Sequence, residues 1–242
     1  MKLNGKTAFI TGSGKRIGRA IAEKLLLQGV NIAAHYRTSR AEVEELISRY
    51  GKDKVFGVQA DLKNVAELQK AFEKAVQNFG SIEILINSAS DFYPKPALQV
   101  TEADWDHFSS TNLKGQFFLA QAFAARLPKS QTGCLINLGD VCAEYPRKNF
   151  VAYLASKGGL LSMTKALALE WGPQIRVNSI APGPVLKPEK YSETQAEKAA
   201  ESTLMGRWGT ADDIANAALF LLENDYITGL DLKVDGGRSL RE

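Results

Sequence analysis

Short β-rich runs alternate with longer amphipathic stretches along this chain. The runs fall at Thr7 to Thr11, Val30 to His35, Val55 to Val58, Ile82 to Ile86, Cys134 to Leu138, Ile175 to Ile180 and Leu230 to Val234. Between them, apolar residues recur at three and four spacing over Arg16 to Gln28, Ala41 to Tyr50, Val65 to Phe79, Glu102 to Arg126, Val151 to Trp171 and Asp212 to Leu222, which predicts helices. Such alternation predicts an α/β fold: a doubly wound parallel sheet with helices on both faces. No repeat, low-complexity segment or linker breaks the pattern, so residues 1–242 read as a single domain. The least regular stretch is Pro182 to Gly206, where proline, glycine and a polar helix-like piece, Ser192 to Ser202, interrupt the alternation. Such a segment leaves the carboxyl edge of the sheet, where ligands bind, and reads as a mobile substrate loop or as a plain surface excursion.

Composition narrows the partners. A chain of 242 residues, 45% hydrophobic, can bury a core without disulfides or metals. Its formal net charge is +3, with basic residues spread among acidic ones, which argues against nucleic acid as a partner. Small molecules and copies of itself are the partners expected. Lys6 to Thr11 already reads as a strand, so no signal peptide fits, and no apolar stretch approaches the roughly 18 residues of a membrane span. A cytoplasmic protein is expected. Cys134 and Cys142 have no metal-ligand spacing and read as reduced thiols; His35 and His107 sit in segments unrelated to Cys142, which leaves that thiol without a base.

Thr11 to Gly18, TGSGKRIG, joins a β-rich run to an amphipathic helix, the context of a phosphate-binding turn. Gly12, Gly14 and Gly18 would let backbone approach a pyrophosphate at a helix N-terminus, although Ile17 stands where a strict GxGxxG has its third glycine. Asp61-Leu62 follows the third run, where an adenine can be held, and Asn87-Ser88-Ala89-Ser90 follows the fourth. After the second run, His35-Tyr36-Arg37-Thr38-Ser39-Arg40 contains no acid before Glu42. Arginine and hydroxyls there, with Lys15 in the turn, suit the 2′-phosphate of NADPH rather than a bare ribose; the alternative is a pair of solvated arginines at a helix start.

Tyr153 and Lys157 lie four apart on a predicted helix and project from one face. An ammonium beside a phenol is expected to lower the tyrosine pKa and tune it as a proton donor. With the glycine turn, the NSAS run and Pro182-Gly183 in order, the chain resembles the short-chain dehydrogenase/reductase family over essentially its whole length. Asn112, Arg176-Val177-Asn178, Ala181-Pro182-Gly183, Gly206-Arg207-Trp208-Gly209 and Val234-Asp235-Gly236-Gly237 extend the match. The resemblance implies a Rossmann-type fold and a nicotinamide-dependent oxidoreductase. Tyr153 would be the acid, Lys157 would hold the nicotinamide ribose and lower the tyrosine pKa, and Asn112 would support a water relay.

Departures from the family pattern point to a smaller group. Arg16 replaces the usual middle glycine of the turn, Asp140 the usual serine, and Lys187 the usual threonine after Pro182-Gly183, while Ser90-Asp91-Phe92-Tyr93-Pro94 follows the fourth run. With His35-Tyr36-Arg37 these resemble the pteridine reductases, including the bacterial dihydromonapterin reductases that share an Asp-Gly-Gly-Arg run near the C-terminus. The resemblance pairs Asp140 with Tyr153 in catalysis, sets Arg16 and Ser90 against both ligands and stacks Phe92 on the pterin. It places His35, Tyr36, Pro182, Gly183 and Val185 at the cofactor and Pro184 at the substrate, and it implies a homotetramer paired through the Glu102 and Val151 helices.

An acidic side chain suits a substrate nitrogen better than a developing alkoxide, so reduction of a ring C=N bond in a dihydropterin is the expected reaction. A carbonyl reductase acting on a 3-oxoacyl thioester is the second reading, and a catalytically idle nucleotide sensor the third. Phe92 can alternatively plug its loop against the core, and Asp140 can cap a turn. Asp91, beside Phe92, has no assigned role.

Overall fold

In a computed structural model, described over residues 1–187 and 191–241, seven strands form one parallel sheet. They are β1 (Thr7–Ile10), β2 (Asn31–Tyr36), β3 (Val55–Gln59), β4 (Ile84–Asn87), β5 (Gly133–Leu138), β6 (Ile175–Pro182) and β7 (Asp231–Val234), in the order β3-β2-β1-β4-β5-β6-β7. The helices are α1 (Arg16–Leu27), α2 (Arg40–Tyr50), α3 (Val65–Phe79), α4 (Glu102–Ser109), α5 (Gly115–Arg126), α6 (Val151–Trp171), α7 (Glu193–Glu201) and α8 (Ala211–Glu223).

Strand periodicity divides the core into two layers. Ala8 and Ile10 of β1, Ile84 and Ile86 of β4 and Cys134 and Ile136 of β5 face a cluster shared with Ile21 and Leu25 of α1 and Ile214 of α8. Their neighbours Phe9, Leu85 and Leu135 face the opposite cluster, with Phe72 of α3 and Phe123 of α5. The strand order reverses between β1 and β4, so the crossovers diverge there and a crevice opens beyond their carboxyl ends.

Two helical regions differ from the sequence expectation. The helix expected over Glu102 to Arg126 is interrupted at Ser110–Lys114 by a π-helical turn that buries Thr111 and Asn112. Gly115 follows it at a close approach: a Cβ there would stand 2.2 Å from the Leu62 carbonyl oxygen. The polar piece in the expected substrate loop is α7, opened by a Ser192/Gln195 capping box and docked by Trp208, whose indole N–H donates to the Ala196 carbonyl at 2.9 Å. The rest of that expectation falls partly on residues 188–190, outside the described residues. Among the described residues no helix is long and apolar enough to cross a membrane, and no His, Cys, Asp and Glu cluster could hold a metal ion.

Candidate active site

Thr11 anchors the turn after β1 to the end of β4, its Oγ1 accepting from the N–H groups of Ser88 and Ala89 at 2.9 Å each. Gly12 has φ 68°. Gly18 lies so close beneath that a Cβ would sit 2.4 Å from the Gly12 carbonyl oxygen, so the glycine that comes one residue late performs the close packing of helix on turn. Arg16 keeps the left-handed conformation, φ 53°, at the position where the family pattern has glycine. Its guanidinium reaches across to donate to the Leu186 carbonyl at 3.2 Å.

These elements wall a cleft of ≈ 340 Å³. Gly12, Lys15, Arg16 and Ile17 line its glycine-turn end, Arg37 and Ser39 the β2 side, Asp61 and Leu62 the β3 side, and Ser88, Ala89 and Ser90 the β4 side. Gly14 lies under Ser39, where a Cβ would stand 2.5 Å from the hydroxyl oxygen. His35 is buried below the turn: its Nδ1 accepts from the Gly12 N–H at 3.4 Å and its Nε2 donates to the Ala60 carbonyl at 3.1 Å. Burial lowers its pKa to about 4, so the ring is a neutral strut.

Several expected cofactor residues are not part of this cleft's lining. Asn87 is fully buried at the end of β4, bonded through its amide to Asn137 at 2.8 Å, because the parallel register sets the two side by side. Tyr36 and Val185 pack against the core. Pro182 ends β6, while the Gly183 N–H and the Pro184 carbonyl are occupied by Val234 and Gly209. Nor is the arginine-rich end of β2 without acids. Asp91 folds across the cleft to pair with Arg37 at 3.5 Å, and Glu42 pairs with Lys15 at 2.7 Å. Asp91 also meets His107 Nε2 at 2.9 Å.

At the other end, β5 delivers Asp140 and α6 delivers Tyr153 and Lys157. The Tyr153 hydroxyl donates to Asp140 Oδ2 at 2.7 Å, while Asp140 Oδ1 accepts from the Cys142 N–H at 2.8 Å. Asp140 therefore caps its turn and meets the tyrosine at once, so the two sequence readings of this residue coexist. The expected direction of the tyrosine pKa is reversed: burial and then the Asp140 charge hold Tyr153 well above its ordinary value. Lys157 Nζ donates to the Leu138 carbonyl at 2.7 Å, and burial lowers its pKa to about 8. Both cysteines are unpaired, and burial pushes each thiol up to about 11.

Asn112, held inward by the π-turn, accepts from the Asp91 N–H at 3.0 Å and donates to the Asp91 carbonyl at 3.1 Å and to Ser156 Oγ at 3.3 Å. Its amide clamps the Asp91 loop; the expected water relay meets a side chain already engaged. Phe92 is 40% exposed, stacked on Phe150 at 4.8 Å and edge-on to Tyr153 at 4.9 Å. It projects beside the tyrosine instead of plugging the core. Phe150, His107 and Arg147 are not legible as site residues, since each meets the site through Asp91 or Phe92 on the folded-back loop after β4.

The family model described as enoyl-(acyl carrier protein) reductase matches residues 12–239. The 3-oxoacyl-[acyl-carrier-protein] reductase FabG of Aquifex aeolicus is 34% identical over 245 residues, 98% of each chain. Among solved structures, the FolM alternative dihydrofolate reductase 1 of Brucella canis, complexed with NADP, superposes with a TM-score of 0.94 at 30% identity, covering 100% of this chain and 96% of that one. A blue fluorescent protein from a metagenomic library, in complex with NADPH, gives 0.90 at 32% identity, covering 99% and 100%. The protein belongs to the short-chain dehydrogenase/reductase family, whose members are nicotinamide-dependent oxidoreductases.

Proposed function

We propose that the protein reduces a dihydropterin to its tetrahydro form with NADPH. The observation that carries this reading is the 2.7 Å hydrogen bond from Tyr153 to Asp140.

The cleft fits the dinucleotide. Gly12 and Gly14 let the turn pack directly against Ala89 and Ser39, which a Cβ at either position would crowd, and Thr111 Oγ1, which lines the same cleft, is buried with no hydrogen-bond partner among the described residues. Lys15, Arg16, Arg37 and Ser39 would hold the phosphates, Asp61 and Leu62 the adenine, and Ala89, Ser90 and Lys157 the nicotinamide end. When bound, reduced nicotinamide supplies a hydride.

The proton needed at the ring nitrogen beside the reduced carbon sits on Tyr153 Oη, kept there by burial and the neighbouring carboxylate. An ionised Asp140 only accepts, and its spare lone pairs suit the N–H and amino groups along a pterin edge. Beside a ketone, the same charge would oppose the developing alkoxide. Phe92 offers an aromatic face next to Tyr153 for a flat heterocycle. The FolM structures support the pterin reading, and the FabG relative supports the alternative, a 3-oxoacyl-thioester reductase. Assembly into a homotetramer through α4 and α6 belongs to the same proposal, supported by exposed Trp105 and Leu169 on those helices.

NADPH oxidation with dihydrobiopterin, dihydromonapterin and dihydrofolate beside acetoacetyl-CoA tests the reading. Turnover of dihydropterins well above that of the thioester is expected; the opposite ranking would establish the alternative.

A further inference from the structure

Arg147, on the loop between β5 and α6, is a cation with aromatic neighbours and, among the described residues, no counter-ion. Its guanidinium carbon lies 4.0 Å from the Phe150 ring centre and 5.0 Å from that of Phe92. Its Nε is buried with no hydrogen-bond partner among the described residues. The nearest acid in sequence, Glu144, is taken by Lys233 at 2.7 Å. Stacking orients a guanidinium plane without satisfying its N–H groups, and a desolvated donor left unpaired is costly unless an acceptor arrives.

The position says where that acceptor comes from. Phe150 stacks on Phe92, and Phe92 meets Tyr153 edge-on, so an aromatic surface runs outward from the proton donor to Arg147. Beside it opens a recess of ≈ 460 Å³, lined by Arg147 and Lys148 with Ala97, Asn149, Val151 and Leu154, and, among the described residues, by no acid. A ring placed at Tyr153 thus has an apolar path on its outer side ending at a fork-shaped donor whose Nε has no partner among the described residues.

We infer that Arg147 is the recognition residue for an anionic group, a carboxylate or a phosphate, carried on the substrate beyond its pterin ring. This rests on the pterin reading and narrows it to acidic-tailed substrates. Planar paired donors match either oxyanion; lysine keeps the charge but not the fork.

The test compares kcat/KM for three substrates with NADPH: dihydrofolate, whose tail ends in carboxylates, a phosphorylated dihydroneopterin, and uncharged dihydrobiopterin. Arg147→Leu and Arg147→Lys are measured beside the parent. The parent should favour at least one anionic substrate over dihydrobiopterin by about tenfold or more. Arg147→Leu should lower that ratio by about tenfold, chiefly through KM, and Arg147→Lys should restore part of it. Whichever anionic substrate shows the collapse identifies the tail as carboxylate or phosphate. An unchanged ratio in Arg147→Leu, with all three still turned over, overturns the subsite and leaves the pterin reading standing. Turnover of acetoacetyl-CoA with none of the three reduced overturns both.

Discussion

Asp91 Oδ2 reaches the Arg37 guanidinium at 3.5 Å, so the arginine expected to hold a 2′-phosphate meets a carboxylate from across the cleft. Both partners are partly exposed, so the pair contributes at most about 1 kcal/mol and does not cancel the arginine. NADPH should be preferred over NADH by at least about tenfold in kcat/KM, roughly 1.4 kcal/mol. Arg37→Asp should weaken or reverse that preference. Asp91→Asn, which removes the competing charge, should raise it about two- to fivefold. Equal use of both cofactors by the unmodified protein would refute the assignment of this region to the phosphate.

Phe92→Ala should impair turnover of dihydropterins mainly through KM, because an aromatic contact is worth roughly 0.5 to 1.5 kcal/mol beyond its buried area. NADPH affinity should change little. The ring is already 40% exposed, so thermal stability should fall only slightly. Joint loss of stability and cofactor binding would mean that its stack with Phe150 is structural.

His35 makes stability depend on pH. Burial lowers its folded pKa from 6.5 to about 4, so between those values the unfolded chain binds the extra proton. Stability therefore falls as pH drops from about 6.5 towards 4, by roughly 3 kcal/mol from this residue. In His35→Gln, which cannot take up that proton, denaturant unfolding across the same window should show a correspondingly shallower acid loss. An identical slope in the variant would remove His35 as its source.

The parallel sheet was legible because strand residues alternate between two buried layers, as Ala8, Phe9 and Ile10 do, while helices repeat at three and four. The π-turn at Ser110–Lys114 was not, since one inserted residue barely disturbs apolar spacing over a long helix. Tyr153, Lys157 and Asp140 were readable from their order and identity. Their electrostatics were not: Lys157 donates to Leu138 while Asp140 takes the phenol, so the tyrosine pKa moves opposite to the expected direction. Arg37 with Asp91, and Asp91 with His107, needed the loop after β4 to fold back, which no local pattern encodes.

Asp140 carries the decisive test. Asp140→Ser leaves a hydroxyl that can still cap the Cys142 N–H, so fold and NADPH affinity should survive. Turnover of dihydropterins should fall by roughly 10² to 10⁴, the range for a positioned proton-transfer group, while reduction of simple ketones should hold or rise because a hydroxyl can donate to an alkoxide. Tyr153→Phe should abolish both activities. The pH profile separates a catalytic role from a structural one. Burial and the Asp140 charge raise the Tyr153 pKa, and reduction needs the protonated phenol, so activity should persist to high pH in the parent. Asp140→Asn removes the charge while keeping the shape, and the basic limb of its residual activity should move to lower pH. Dihydropterin reduction at the parent rate in Asp140→Ser, with an unmoved basic limb in Asp140→Asn, would make position 140 a turn cap alone and favour the thioester reductase.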